Sequence, residues 1–314
     1  MHDAESALSE ARRPLVIGIG GGGDVVGALA TAELCRIYNG ADPVVGGVTW
    51  ERRVIDPEPG PRRLTEVEGA ELIGETVALA GPDTRAGDVV FAEAHMARFL
   101  GKPTVLVDPN DGAAAIAEDL MAAANQLGCD LLVFVDVGGD VLAAGGEPGL
   151  SSPLCDAVLL AAAARIQRTG AKVIGGVFGI GCDGELTFDE VMARLAELGT
   201  ARALGGVRGL TAAVAYRLEQ AVREVPTEAS ALAIRAFHGE TGNAEIRGGR
   251  RTVALSPACT LTFYFDPTRA IRSAAPLALA VADAKSLEEA NGILNELGVT
   301  TELDLEREFA APSH

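Results

Sequence analysis

Short, almost uninterrupted apolar runs, each closing on glycines or an acid and followed by a helical pattern, constrain this chain more than any other feature. Pro14 to Gly20 (PLVIGIG) is the first run, with Val25 to Tyr38 as its helix. Pro43 to Trp50 reads as a second strand, Val89 to Leu100 as a helix, and Pro103 to Val107 (PTVLV) as a third strand. Asp111 to Leu127 is a helix ended by Gly128, and Asp130 to Val135 (DLLVFV) a fourth strand. Pro153 to Arg168 is the next helix, ended near Gly170, and Ala171 to Phe178 (AKVIGGVF) the fifth strand. Strands apolar on both faces belong inside a parallel sheet. Joining them in parallel needs right-handed crossovers, so helices cover both faces. The expected fold class is α/β, a three-layer sandwich with a mostly parallel sheet.

The last third changes character. Thr187-Phe-Asp-Glu190 and Ser286-Leu-Glu-Glu289 match the capping box, and their helices stop at Gly199 and Gly298. Leu210 to Val225 and Thr227 to Phe237 read as helices, Arg251 to Leu255 and Thr260 to Phe265 as strands. The 314 residues suit one large domain or two smaller ones. No Pro/Ser linker or repeat divides them. One α/β domain over 13–308 with a C-terminal extension is expected, the alternative being a smaller lobe from about residue 200. Residues 1–12 and those beyond Glu308 are expected to be flexible.

The net charge of −18 removes whole classes of partner. Such a chain repels a phosphate backbone unless a basic patch intervenes. Arg12-Arg13, Arg52-Arg53, Arg62-Arg63 and Arg247/Arg250/Arg251 are short and scattered, so neither nucleic acid nor an anionic membrane surface is expected. The first residues, MHDAESALSEARR, lack the apolar core of a signal peptide, and no apolar run reaches the 18 residues of a membrane span. Five cysteines without a CxxC do not make a disulfide framework. A cytoplasmic protein with free thiols is expected. Its partner is a small molecule, and self-association is left open.

Ligands of open α/β sheets bind beyond the carboxyl ends of the strands. Five loops lie there: Gly20-Gly21-Gly22-Gly23-Asp24, Trp50-Glu51-Arg52, Asp108-Pro-Asn-Asp111, Asp136-Val-Gly138-Gly139-Asp140, and Gly179-Ile-Gly-Cys182-Asp183-Gly-Glu185. Each carries a carboxylate. One such acid is commonly a helix cap, whereas five at one edge point to a shared pocket. Gly18-Ile-Gly20-Gly-Gly-Gly23 matches the dinucleotide fingerprint, with Glu51 as a candidate ribose-binding acid. Two features oppose NAD(P). Glu51 lies further on than the usual spacing of about 20 residues, and Asp24 stands where a pyrophosphate needs bare N–H groups. Asp24, Asp136, Asp140 and Asp183 are the candidate metal ligands, with Asp156 following in Ser151-Ser-Pro-Leu-Cys-Asp156. Oxygen-only ligands favour Mg²⁺ or Mn²⁺. The competing view is direct binding of ligand hydroxyls or an amine. Trp50 is a candidate stacking platform or a core-edge anchor. Arg52 and Arg62 are candidates for a phosphate or carboxylate. His238 is a candidate general base, with a hydrogen-bonded structural His as the alternative.

Gly18-Ile-Gly-Gly-Gly-Gly-Asp-Val-Val-Gly-Ala-Leu29, Thr49-Trp-Glu-Arg52, Pro59-Gly-Pro-Arg62, Val135-Asp-Val-Gly-Gly-Asp140, Ser152-Pro153 with Asp156, and Gly181-Cys-Asp-Gly-Glu-Leu186 together resemble an uncharacterised family, domain of unknown function 1152. The resemblance spans roughly 14–270. It implies a Rossmann-like sandwich and brings no activity. The functional expectation therefore rests on the loops: an enzyme acting on a small, polar, phosphorylated or nucleotide-like metabolite by transferase, hydrolase or lyase chemistry. In it the Gly20–Gly23 loop holds an anion, Asp136, Asp140, Asp183 and His238 are the candidate catalytic groups, and Gly138, Gly139, Trp50, Glu51, Arg52 and Glu185 line the ligand. The alternatives are a non-catalytic metabolite sensor using the same pocket and an NAD(P)-dependent oxidoreductase.

Overall fold

A computed structural model describes residues 3–311. The apolar runs become β1 (Pro14–Gly18), β2 (Val44–Val48), β6 (Thr104–Val107), β7 (Leu131–Val137) and β8 (Val173–Phe178), every residue of which is buried. They pair in parallel in the order β6-β2-β1-β7-β8. That is the Rossmann 3-2-1-4-5 arrangement. The antiparallel strands β3 (Glu68–Leu72), β4 (Val77–Ala86) and β5 (Val89–Val90) extend the β6 edge. Beyond β8 lie β12 (Leu261–Phe265) and then β9 (Leu204–Gly209), both antiparallel additions. A separate hairpin joins β10 (Gly242–Ile246) to β11 (Arg251–Leu255).

Helices fill both faces. The crossover after β1 is α2 (Val25–Asn39), which packs with α1 (Ala4–Glu10), α3 (Ala92–Leu100), α7 (Ala212–Ala221) and α8 (Ala229–Phe237) in one apolar core. The opposite core gathers α4 (Gly112–Leu127), α5 (Pro153–Arg168) and α6 (Phe188–Thr200) with the C-terminal helices α9 (Pro267–Ala270), α10 (Pro276–Ala280), α11 (Leu287–Glu296) and α12 (Glu302–Ala310). The crossovers leaving the neighbours β1 and β7 thus go to opposite faces, which opens a crevice between them at their carboxyl ends.

Three expectations change. The stretch 1–12 is not a loose tail where described: Asp3 caps α1, and Ala4, Ala7 and Leu8 are buried at helical spacing. Arg12 and Arg13 also donate backbone N–H groups to Asp130, at 2.8 and 3.0 Å. At the other end α12 runs to Ala310, past Glu308. Residues 89–100 divide into β5 and α3, because Glu51 accepts the Ala92 N–H and starts the helix there. The last third extends the main sheet beyond β8 through β12 and β9.

One buried hydrogen bond ties β12 to the first half of the chain. Tyr264 Oη and Thr31 Oγ1 lie 2.9 Å apart, both fully enclosed. Tyr264→Phe leaves the Thr31 hydroxyl unpaired, at an expected cost of about 1–3 kcal/mol. In a Thr31→Val background the same change should cost less. Urea unfolding of the four proteins measures the coupling, and an unchanged cost in the Val background would show that the two hydroxyls do not depend on each other.

Candidate functional site

The crevice at the β1–β7 switch point is packed with acid. The chain leaves β1 through Gly21, Gly22 and Gly23, whose φ values of 75°, 54° and 106° suit glycine and little else. Asp24 follows at the N-terminus of α2. Its carboxylate does not cap that helix; Oδ2 takes the Gly20 N–H at 3.1 Å. Asp136 projects from the end of β7. Gly138 and Gly139 turn the chain closely, and a side chain at Gly138 would collide with the Asp183 carboxyl group. Asp140 opens the following short turn, and Asp156 lies in the first turn of α5. Asp183 and Glu185 come from the turn after β8.

These side chains form two triads. One oxygen from each of Asp24, Asp136 and Asp156 lies within 4.8 Å of the others, and the same holds for Asp140, Asp183 and Glu185. All six residues are buried. Among the described residues, neither oxygen of Asp136 has a hydrogen-bond partner, nor does Asp156 Oδ1 or Asp183 Oδ2. Burial, then repulsion from Asp24 and Asp183, holds Asp136 well above the usual carboxylate range. Burial first and neighbouring acids second do the same to Asp140 and Asp156. Burial raises Asp24 and Asp183 to about 7 each. Glu185 goes the other way. Its burial is outweighed by Arg251 and Arg247, at 3.3 and 3.4 Å, and by hydrogen bonds from Ser151 and Ser152, so it sits low and charged.

Beside the triads opens a cavity of about 610 Å³. Gly20, Gly22, Trp50, Glu51 and Arg52 reach it from the loops after β1 and β2, Ser151 and Ser152 from the approach to α5. Arg247 and Arg250 enter from the β10–β11 turn, and Glu302, Leu305, Glu306 and Phe309 from α12. Trp50 is buried, its indole N–H donating to Glu306 Oε2 at 3.1 Å, so it is an anchor at the cavity wall. Glu51 spends Oε1 on Ala92, while Oε2 has no partner; burial lifts it to about 7.

Of the expected site residues, Gly20, Gly22, Trp50, Glu51 and Arg52 line the cavity; Asp24, Asp136, Asp140, Asp183, Glu185, Gly21, Gly23, Gly138 and Gly139 lie behind its wall, and three others stand apart. The Asp108 loop does not join the cavity lining or either triad: Asp108 accepts the Leu64 and Asn110 N–H groups at 3.0 and 2.9 Å, the capping role. His238 sits at the C-terminal end of α8 with 59% of its side chain exposed, paired with Glu219 of α7. It lines no part of the cavity, so the general-base role is withdrawn. Arg62 is tied to Asp56 at 2.6 Å, also outside the lining. Conversely, Asp156 is a full member of a triad. Arg247, Arg251, Glu302, Glu306 and Phe309 also belong at the site. The Arg-Gly-Gly-Arg-Arg run at 247–251 was the signal for the first two: a glycine turn that folds scattered cations together.

The strand order and the switch-point crevice define a Rossmann-like α/β sandwich. The chain belongs to the family described as protein of unknown function (DUF1152), whose model matches residues 15–310. No curated protein and no solved structure gives a match. Among the described residues no helix is long and apolar enough to cross a membrane.

The raised acids fix the pH response of the ion-free protein. Asp24, Asp183 and Glu51 near 7 and Glu302 near 8 hold protons that the unfolded chain releases at about 4. The folded state therefore binds more protons between about pH 4 and 8, and stability falls as pH rises through that window. In EDTA the unfolding free energy, and with it the urea midpoint, should drop from pH 5 to pH 8, by about 2–3 kcal/mol for each independent group titrating near 7. Asp24→Asn should flatten the slope. A midpoint that rises over this range would contradict the burial of these groups.

Proposed function

We propose that the chain is a cytoplasmic, divalent-cation-dependent enzyme acting on a small, polar, phosphorylated or nucleotide-like metabolite in the switch-point cavity. The observation that carries this reading is Asp136: a carboxyl group buried at the carboxyl end of β7, both oxygens without a partner, clustered with Asp24 and Asp156 and repelled by Asp24 and Asp183. Burying acids without donors is costly, and a hard cation ligated by oxygen is the economical reason to keep them together. Asp24, Asp136 and Asp156 supply one all-oxygen donor set, and Asp140, Asp183 and Glu185 a second. Mg²⁺ or Mn²⁺ fits such donors. When bound, it would supply electrophilic assistance to a ligand oxygen. An acid of the pair Asp140 and Asp183 left outside ligation would hold and move the proton. Arg52, from the loop after β2, would neutralise charge developing on the ligand.

Support for this reading over a dinucleotide cofactor comes from the glycine loop. The Gly20 N–H is already given to Asp24 and the Gly22 N–H to the Trp50 carbonyl at 2.9 Å. The Arg52 side chain covers Gly22, with Nε 3.2 Å from its carbonyl. A pyrophosphate would find those amides taken.

At pH 7.5, Mn²⁺ at a hundredfold excess over its Kd should stabilise the protein by about 2.7 kcal/mol, read as a rise in melting temperature over the EDTA-treated sample. Asp136→Asn should abolish the rise while leaving the ion-free protein folded. Equal melting with Mn²⁺ and with EDTA would remove the cation from this account and leave the acids as direct, protonated contacts to ligand.

A further inference from the structure

Hydrogen-bond bookkeeping around the cavity gives an unequal result. Nearly every carboxylate on its wall is engaged. Glu302 takes the Leu154 and Cys155 N–H groups at 3.0 and 2.8 Å, and Glu306 takes the Trp50 indole and the Gly60 N–H. Both oxygens of Glu228 accept the Arg247 backbone N–H at 3.1 Å. Among the described residues of the wall only Glu51 keeps a free carboxylate oxygen. The guanidinium groups keep more of their donors: Arg52 feels the charges of Asp24, Glu228 and Glu185 without hydrogen-bonding to any of them. Arg52 makes its one hydrogen bond to the Gly22 carbonyl and no ion pair among the described residues. Arg247 reaches Glu185 at only 3.4 Å, and its Nε is buried with no partner. Among the described residues Arg247 is also one of two non-glycine residues held at positive φ, 55°. It lies at the head of a turn continued by Gly248 and Gly249 at 66° and 80°. That backbone is unfavourable for an arginine. Here it carries the side chain into the cavity wall, towards a second cation that repels it.

Two guanidiniums facing one cavity with donors to spare call for an anion with several acceptor oxygens. The same cavity has an apolar part, Val54, Leu305 and Phe309, of which Val54 and Phe309 are among the exposed large hydrophobics. Arg53 stacks on the Phe309 ring, 4.8 Å from its centroid, presenting a flat surface at the mouth. We propose that Arg52 and Arg247 form a phosphate subsite, independent of any metal, and that the Val54–Phe309 rim takes a planar ring, so that the ligand is a phosphate monoester of nucleoside type. This deepens the function proposed above and rests on it only in placing the ligand in the same cavity.

The test is calorimetry on the full chain with AMP, GMP, CMP and UMP, with adenosine, and with inorganic phosphate, each in EDTA and in Mg²⁺. At least one nucleotide should bind in EDTA, about tenfold or more tighter than adenosine or phosphate alone. Arg247→Gln and, separately, Arg52→Gln should weaken it about 10- to 100-fold, the usual range for a lost charged hydrogen bond. Phe309→Ala should weaken the nucleotide and leave phosphate unchanged. Equal affinity for nucleoside and nucleotide, no effect of either arginine variant with melting temperature preserved, or no binding of any of the four nucleotides at millimolar concentration would each overturn the subsite. Nucleotide binding seen only with Mg²⁺ would assign the phosphate to the cation, upholding the metal reading and ending this one. Binding in EDTA that Mg²⁺ does not alter, in a protein that takes up no Mn²⁺, would do the reverse.

Discussion

Two neighbouring strands, β1 and β7, send their connections to opposite faces of the sheet, and this divergence sets up everything else in the molecule. Where crossovers leave on the same side, a helix closes the space above the strand ends. Here α2 packs on one face and α5 on the other, so the ends of β1 and β7 are left beneath a crevice. The Gly20–Asp24 loop, Asp136 and the start of α5 with Asp156 are the three segments that border it. Their carboxylates meet because the topology leaves them nowhere else to point, and the close turns at Gly138 and Gly139 bring the β8 loop with Asp183 against them.

The parallel core was legible because physics writes it in a simple code. A strand buried on both faces is apolar at nearly every position, as in PLVIGIG, PTVLV and LLVFV. The edge strands carry no such mark. β3 reads Glu-Gly-Ala-Glu-Leu and is mostly exposed, so its pairing to β4 depends on partners and not on its own composition. The N-terminal helix was hidden for a similar reason: Ala4, Ala7, Leu8 and Ala11 make a narrow stripe of mostly small residues inside an acidic segment. Its burial is decided by the sheet edge it meets.

At the site, sequence reasoning found the acids that follow strands and missed what comes from afar. Asp24, Asp136, Asp140 and Asp183 follow from the rule that ligands gather beyond strand ends. Asp108 obeys the same rule and turns out to cap its own turn, since a lone carboxylate after a strand serves either purpose. The C-terminal helix gave no warning. Its sequence, Glu-Leu-Asp-Leu-Glu-Arg-Glu-Phe-Ala, buries only Leu303, yet it contributes Glu302, Glu306 and Phe309 to the cavity. Only the tertiary path of the last fifty residues, back across α5, puts them there.

Glu185 is where the buried acids and the arginines beside the cavity communicate. It belongs to the triad with Asp140 and Asp183, and it also accepts from Ser151 and Ser152 and faces Arg247 and Arg251. Its neighbours in the triad are pushed towards neutrality by burial and mutual repulsion, while Glu185 is held charged against its own burial by the two arginines. One buried carboxylate therefore balances cations on one side and crowds acids on the other. Any change of charge among the buried acids alters how strongly Glu185 holds Arg247, and any anion that engages Arg247 alters the field felt by Asp183. The reciprocity is thermodynamic and requires no movement of the backbone. It also explains how a chain with a net charge of −18 presents a cationic wall. Burial lifts the wall acids Glu51 and Glu302 to about 7 and about 8, so at neutral pH they offset the guanidiniums only in part.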